Sequence, residues 1–394
     1  MKSLSACFLT RNEESTIGRA VRSVKGVADE VIVVDTHSDD RTAEIAAAEG
    51  AAVTQFTWGD DFAAGRDYTI RQARGDWVLW MQGIEELLPE GRGALKECVN
   101  REDAFGYFLR IQTVTGDANP QADFGELSRA AETADLRLFR RRADLPRLFV
   151  GRLHPHFHPD VLDAVRREGL HVGPCDVVLR QHAEPGRPDA AKLRFNLRLL
   201  EAELRERPGQ LHYLIEYGRT LLIAQDPEGH DVMAQAAAQV LAARDLPSPP
   251  SAKVQVLLDY LLGAAPGQSM GGLDYDTARE LALRWFPDSP NVLWTLAEQS
   301  FRRRQYEDAA RHLQHLLHLG RTGAYDRSHR FDPGVLGAEA LINLGACYLQ
   351  MRRLDEAEAC LVQLAADPRF GPQASKMLAV AQKWRTRPPP PATG

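Results

Sequence analysis

The sequence predicts an α/β domain with a mostly parallel sheet and flanking helices, followed by an all-helical domain. Three observations carry that reading. Short apolar runs alternate with amphipathic segments of about ten residues through residue 81. Polar clusters follow three of those runs, at residues 11–14, 35–40 and 82–86. From about residue 188 the strand-like runs give way to helical periodicity.

Each element of the first half has its own signal. Residues 4–10 are an apolar strand, and residues 11–15 (Arg-Asn-Glu-Glu-Ser) open a helix with Ile17, Val21 and Val24 on one face, stopped by Gly26. Residues 30–34 form a second buried strand, closed by Asp35. The turn at 36–40 caps a helix that ends at Gly50. Residues 51–56 are a third, shorter strand, and 66–73 a third helix. Gly75 releases the chain into Trp77-Val78-Leu79-Trp80-Met81, an apolar run of the kind buried on both faces of a parallel sheet. Successive βαβ units have right-handed crossovers, so the strands share one C-terminal edge. Ligands bind beyond that edge in open α/β sheets, which places the three polar clusters at the mouth of one cleft. Residues 105–113, 135–139 and 177–181 read as further strands.

Composition narrows the function classes. The 394 residues are enough for two or three domains, with 44% apolar and 26% charged residues, as in ordinary globular chains. A net charge of -6 gives no bulk basicity for nucleic acid or an anionic membrane surface. No run reaches the roughly 18 apolar residues of a membrane span, and the N-terminal apolar run is too short for a signal peptide. The five scattered cysteines contain no CxxC pair, so neither a zinc ribbon nor a disulfide framework is expected, and a cytoplasmic location is.

Four segments together resemble glycosyltransferase family 2. They are residues 4–14 (Leu-Ser-Ala-Cys-Phe-Leu-Thr-Arg-Asn-Glu-Glu), 31–41 (Val-Ile-Val-Val-Asp-Thr-His-Ser-Asp-Asp-Arg), 58–66 and Gly75-Asp76-Trp77. The subgroup resembled carries tetratricopeptide helices behind the transferase domain. The resemblance spans about the first 185 residues. It implies a GT-A type fold, a nucleotide-diphosphate sugar as donor, and a peptide, protein or glycan as acceptor. By that resemblance Thr10, Arg11, Asn12, Glu13 and Asp35 border the nucleotide base and ribose, a carboxylate accepting hydrogen bonds from imide and hydroxyl groups. Asp61 and Arg66 lie near the diphosphate, where the planar guanidinium fork suits phosphate.

The resemblance also implies an Asp-x-Asp at the end of the fourth strand, holding Mg²⁺ or Mn²⁺ against the diphosphate. Here those positions are Gln82 and Ile84, and Glu85 follows. A later Gly-x-x-His-Glu of the subgroup is Gly151-Arg152-Leu153-His154-Pro155. Glu85, Glu86 and His154 are therefore the catalytic candidates, and Glu85 with His154 the remaining metal candidates. Three readings stay open: arginines (Arg11, Arg66 or Arg152) replace the metal; Glu85 or Glu86 with His154 still holds one; or the domain is a catalytically inactive scaffold that binds a nucleotide or a protein. The general base is unassigned among Glu85, Glu86, Asp160 and nearby histidines. His154, His156 and His158 alternate but are interrupted by Pro155, which favours a loop over a metal-binding strand. Residues 140–142 (Arg-Arg-Arg) are either a solvated corner or an acceptor phosphate site. Trp58 is either core or a sugar-stacking ring, and His182 is structural or catalytic.

In the second half, residues 190–207 form one long amphipathic helix ended by Pro208-Gly209. Leu296-Ala297, Tyr306, Ala309 and Leu313 then match Leu344-Gly345, Leu354, Ala357 and Leu361, 48 residues on. The pattern resembles the tetratricopeptide repeat of about 34 residues, with the surplus near 320–333 and a weaker copy from Leu211. Such an array offers a concave surface for a peptide or protein partner, or pairs with a second copy. The expected domains are 1–186 (transferase), 187–385 (helical repeats) and a disordered Pro-rich tail, 386–394.

Overall fold

The computed structural model describes residues 2–115, 130–145, 147–183, 190–264 and 268–386. The chain divides into two compact units, one of residues 1–213 with 223–226 and 328–330, the other of the remainder.

In the first unit, β1 (Leu4–Thr10), β2 (Glu30–Asp35), β3 (Ala52–Gln55) and β4 (Trp77–Met81) are linked by α1 (Ile17–Val24), α2 (Thr42–Ala48) and α3 (Phe62–Gln72). All their pairings are parallel, as the sequence predicts, and the observed order is β3-β2-β1-β4. The sheet continues through β5 (Glu85–Leu87), β6 (Ala104–Thr115), β7 (Ala130–Arg140) and β10 (His171–Ala183), to a full order of β3-β2-β1-β4-β7-β6-β10-β5. Strands β7 and β5 run antiparallel to their neighbours, which makes the sheet mixed but mostly parallel. Helix α4 (Arg92–Asn100) precedes β6. A two-stranded ladder, β8 (Phe149–Val150) with β9 (His156–Phe157), and α5 (Pro159–Arg167) precede β10.

Alternation along each strand sorts the core into two layers. Leu4, Ala6, Phe8, Val33, Trp77, Leu79 and Met81 face Ile17, Val21 and Ala46 of α1 and α2. Cys7, Ile32, Val34, Val78 and Trp80 face Ala63 and Ile70 of α3 and a cluster of Phe105, Phe139, Phe149 and Phe157. All five residues of β4 are buried, as expected for a central strand covered on both faces. Helix α6 (Ala190–Glu206) matches the long helix read from sequence.

One expectation fails. Cys98 of α4 and Cys175 of β10 form a disulfide, although 77 residues separate them. The α4·β10 packing, which no spacing rule encodes, brings them together. Cys7, Cys347 and Cys360 are unpaired and buried.

Helix α7 (Leu211–Ile223) runs across the division between the units. The second unit contains α8 (Glu228–Ala242), α9 (Val254–Gly263), α10 (Tyr275–Trp285), α11 (Pro290–Arg302), α12 (Tyr306–Thr322), α13 (Ala338–Gln350), α14 (Leu354–Val362) and α15 (Gly371–Thr386). The expected repeats are the hairpins α11–α12 and α13–α14, with Ala297, Ala309, Gly345 and Ala357 buried where the helices meet. The surplus residues between the copies are partly helical: α12 has 17 residues against 9 in α14, and Gly323 ends it in the left-handed region at φ 71°. Contrary to the all-helical expectation, a small ladder pairs β11 (Ser269–Met270) with β12 (Leu273–Asp274). The expected tail falls on residues 387–394, outside the described residues, apart from Thr386 at the end of α15.

Candidate functional site

Thr10 and Asp35 are register partners at the C-terminal ends of β1 and β2, and both are buried. The turns that follow them are stapled together. Asn12 N–H donates to Ser38 Oγ (2.9 Å), Asp39 N–H to Asn12 Oδ1 (2.8 Å), Glu13 N–H to Thr42 Oγ1 (2.7 Å) and Glu14 N–H to Asp40 Oδ2 (3.1 Å). Asn12 and His37 take left-handed backbones, φ 55° and 59°, which turn the chain back sharply at this rim. Asp35 accepts from Ser38 N–H at 3.0 Å and from Ser38 Oγ. The buried Thr10 hydroxyl has no hydrogen-bond partner among the described residues. Arg11 is exposed.

Beyond β4, Gly83 is required by a close approach: a Cβ there would lie 2.0 Å from Glu13 Oε2. Glu13 is thereby packed under the β4–β5 turn. Burial, and then the nearby Glu85 and Asp40 carboxylates, push its carboxyl up to about 7. Glu85 is buried and accepts from both terminal nitrogens of Arg137 at 3.1 Å, and from Gln82 N–H at 2.8 Å. Burial pushes its carboxyl up, and Arg137 pulls it back. Glu86 meets His182 Nε2 at 3.0 Å, with Arg180 and Arg19 at 3.6 and 3.8 Å.

Asp61 caps α3, accepting from Ala64 N–H at 3.0 Å. One turn on, the Arg66 guanidinium lies 5.0 Å over the Trp80 ring of β4 and 5.4 Å over Phe149, and donates to Pro155 O at 3.3 Å. No carboxylate comes within ion-pair distance of it among the described residues. Burial therefore lowers its pKa to about 10. Arg66 lines a cleft of about 630 Å³. The walls are mostly apolar (Phe108, Leu136, Phe157 and Leu162 among them), with Asp135 and His156 as further polar lining. A second hollow, of about 200 Å³ beside Arg141 and Arg142, lies by Asp76 at the opposite, N-terminal end of β4.

A family model described as glycosyl transferase family 2 matches residues 5–83, the stretch from β1 to the turn after β4. A TPR repeat-containing protein of Synechococcus elongatus is 37% identical over 146 residues, covering 37% of this chain and 33% of that protein. A protein of Rickettsia prowazekii described as an uncharacterized glycosyltransferase is 40% identical over 125 residues, 31% of this chain and 42% of its own length. One from Rickettsia typhi is 41% identical over 90 residues, 23% and 30%. These matches thus span well under half of the relatives' length. Among solved structures, mannosyl-3-phosphoglycerate synthase from Rubrobacter xylanophilus superposes with TM-score 0.33 at 17% identity, over 53% of this chain and 77% of that one.

The residues after β4 do not offer a divalent cation a fitting donor set. Gln82 and Ile84 supply at most a neutral amide, Glu85 is consumed by Arg137, and Glu86 is engaged by His182. Among the described residues no three His, Cys, Asp or Glu side chains are grouped to hold a metal. His154, a metal candidate by resemblance, is exposed on a turn with φ 49°. His158 instead caps α5, its Nδ1 accepting from Asp160 N–H.

Other sequence candidates have structural partners within the first unit. Arg152 reaches Glu206 and Asp60 O, which removes it from the cations facing a diphosphate. Arg140 caps the carbonyls of Arg101, Glu102 and Ala104, Arg141 that of Gly75, and Arg142 pairs with Asp144 and Glu168, so the basic corner ties loops together. Trp58 packs edge-on to Phe62 and donates to Asp60. Sequence reasoning missed Arg137 and Tyr213 as site residues, and left His156 among the loop histidines. For Arg137 a signal existed: it occupies a position inside an alternating strand, between Leu136 and Leu138, where a buried charge demands a partner.

Proposed function

We propose that the chain is an inverting sugar transferase that takes a nucleotide-diphosphate donor and works without a divalent cation. The observation that carries this is Arg66, a part-buried guanidinium stacked on Trp80 of β4 and lining an apolar cleft, with no acid within ion-pair distance among the described residues. A buried cation without a counter-ion is costly unless an anion completes it. The donor's diphosphate is the anion that a family 2 domain brings to that place. Thr10 and Asp35 supply a hydroxyl and a carboxylate for the nucleoside, with Asn12 and Glu13 shaping the rim and Asp61 fixing the start of α3. Arg11, exposed at the same rim, adds a second cation. Stabilising the leaving group with fixed charge replaces the role a metal would play.

The cleft beyond Arg66 takes the acceptor, a peptide, protein or glycan whose apolar body lies against Phe108 and Leu136. The helical repeats give such an acceptor a second surface. We assign residues 1–186 to transfer and 187–385 to the repeat array, with the pairing of two copies as a further use of that array. No helix among the described residues is long and apolar enough to cross a membrane, and we place the reaction in the cytoplasm.

The test is release of nucleoside diphosphate from UDP-glucose, UDP-N-acetylglucosamine, GDP-mannose and dTDP-rhamnose. Arg66→Ala should lower the rate by about 10²–10³-fold, and Arg66→Lys by less. Release that Arg66→Ala leaves unchanged would remove the assignment.

A further inference from the structure

We propose that His156 is the general base of the transfer and that Tyr213 is the positioning residue that fixes its tautomer. The proposal rests on the transferase reading above and names the group that activates the acceptor.

Four observations converge on His156. It lines the same cleft as Arg66, the residue assigned above to the diphosphate, and Asp135. Its Nδ1 is 3.3 Å from the Tyr213 hydroxyl, which in turn donates to Val150 O at 3.4 Å. In the arrangement we propose, the phenolic proton goes to Val150 O, which can only accept, and the phenolic oxygen accepts from Nδ1–H. The lone pair of the ring then resides on Nε2. Finally, Gly151 is built around this contact. A Cβ at that position would lie 1.7 Å from the Tyr213 hydroxyl, and the backbone has φ +109°, a region that favours glycine.

The competing bases are occupied. Glu85 is closed by Arg137, and Asp135 accepts from Leu136 N–H and from Arg137 Nε, both at 2.8 Å. His158 caps α5, and His171 lies 3.7 Å from Asp103. The groups around His156 are Glu203 and Arg207, at and just beyond the end of α6, with His158, His212 and Tyr213. Burial outweighs Glu203 and holds the imidazole below its usual value, so the ring is neutral at pH 7.

In the step, the acceptor O–H proton passes to His156 Nε2 as the acceptor oxygen bonds to the anomeric carbon. The bond from that carbon to the diphosphate oxygen breaks, and the nucleoside diphosphate leaves with its electrons. The imidazolium then returns the proton to solvent.

The experiment uses the full chain labelled with ¹⁵N-histidine, with His156→Gln to assign the signal. The expected spectrum shows the Nδ1–H tautomer, titrating below the free imidazole value of about 6.5. In Tyr213→Phe that tautomer preference is lost while the fold, read by circular dichroism, is kept. In the four-donor assay His156→Gln should lower kcat by about 10²–10⁴-fold, with the donor KM and the nucleotide-induced thermal shift unchanged. An Nε2–H tautomer, or full turnover by His156→Gln, overturns the base assignment and leaves the transferase reading standing. Absence of diphosphate release from any donor by the wild-type chain sinks both.

Discussion

Arg137 meets Glu85 end-on, each terminal nitrogen 3.1 Å from one carboxylate oxygen, and both side chains are buried in the sheet. The pair joins β7 to the start of β5 directly behind Gln82, where the family resemblance places a cation. Its strength is that of a mutual dependence. Removing Arg137 leaves Glu85 desolvated without its cation, a loss of about 3–5 kcal/mol, whereas removing Glu85 costs less because Arg137 keeps its 2.8 Å pair with Asp135. Arg137→Met should lower the unfolding free energy in urea by that order, and Glu85→Gln by less. The double variant Glu85→Leu/Arg137→Met should recover much of the loss, because no lone charge remains. A double variant as unstable as the sum of the singles would show that the pair is not what holds this turn.

Glu13 makes a pH prediction. Its carboxyl is raised from 4.5 to about 7, by burial first and then by Glu85 and Asp40. Across that window the folded chain keeps a proton that the unfolded chain has released. Stability therefore falls as pH rises through it, and is lower above about 7 than below 4.5. Glu13→Gln should remove this slope and be more stable than wild type at pH 8, by on the order of 3 kcal/mol. The two proteins should unfold alike at pH 4. Urea titrations at the two pH values decide it, and equal stability at pH 8 would count against the buried placement of Glu13.

How much of this was legible in the sequence follows from contact range. Strands β1 to β4, their parallel pairing and the shared rim at Thr10, Asn12 and Asp35 were readable, because each βαβ unit carries its own periodicity and turn residues. The elements that finish the site were not. Strands β5, β8 and β9 have two or three residues, too few for a period to show. The Arg137–Glu85 pair spans 52 residues and the Tyr213–His156 contact 57, and nothing in either segment names its partner. Gly151 was visible as a motif glycine, but its reason, the Tyr213 hydroxyl lying where a Cβ would be, exists only in three dimensions.

The cysteines give a chemical check of the same kind. With Cys98 and Cys175 paired, alkylation of the denatured, unreduced protein should label three thiols: Cys7, Cys347 and Cys360. After reduction it should label all five. Replacing both members, as Cys98→Ser/Cys175→Ser, should cost about 2–4 kcal/mol by loosening the unfolded chain's constraint. Five labelled thiols without reductant would show that α4 and β10 are not cross-linked.

The account turns on an activated-sugar site whose charge is handled by arginine rather than by a metal. Thermal unfolding with UDP, GDP, dTDP and CDP, in EDTA and then in Mn²⁺, addresses that directly. At least one nucleoside diphosphate should raise Tm in EDTA, Mn²⁺ should add nothing, and Arg66→Ala should abolish the rise. A rise that occurs only with Mn²⁺, or no rise with any of the four, would contradict it.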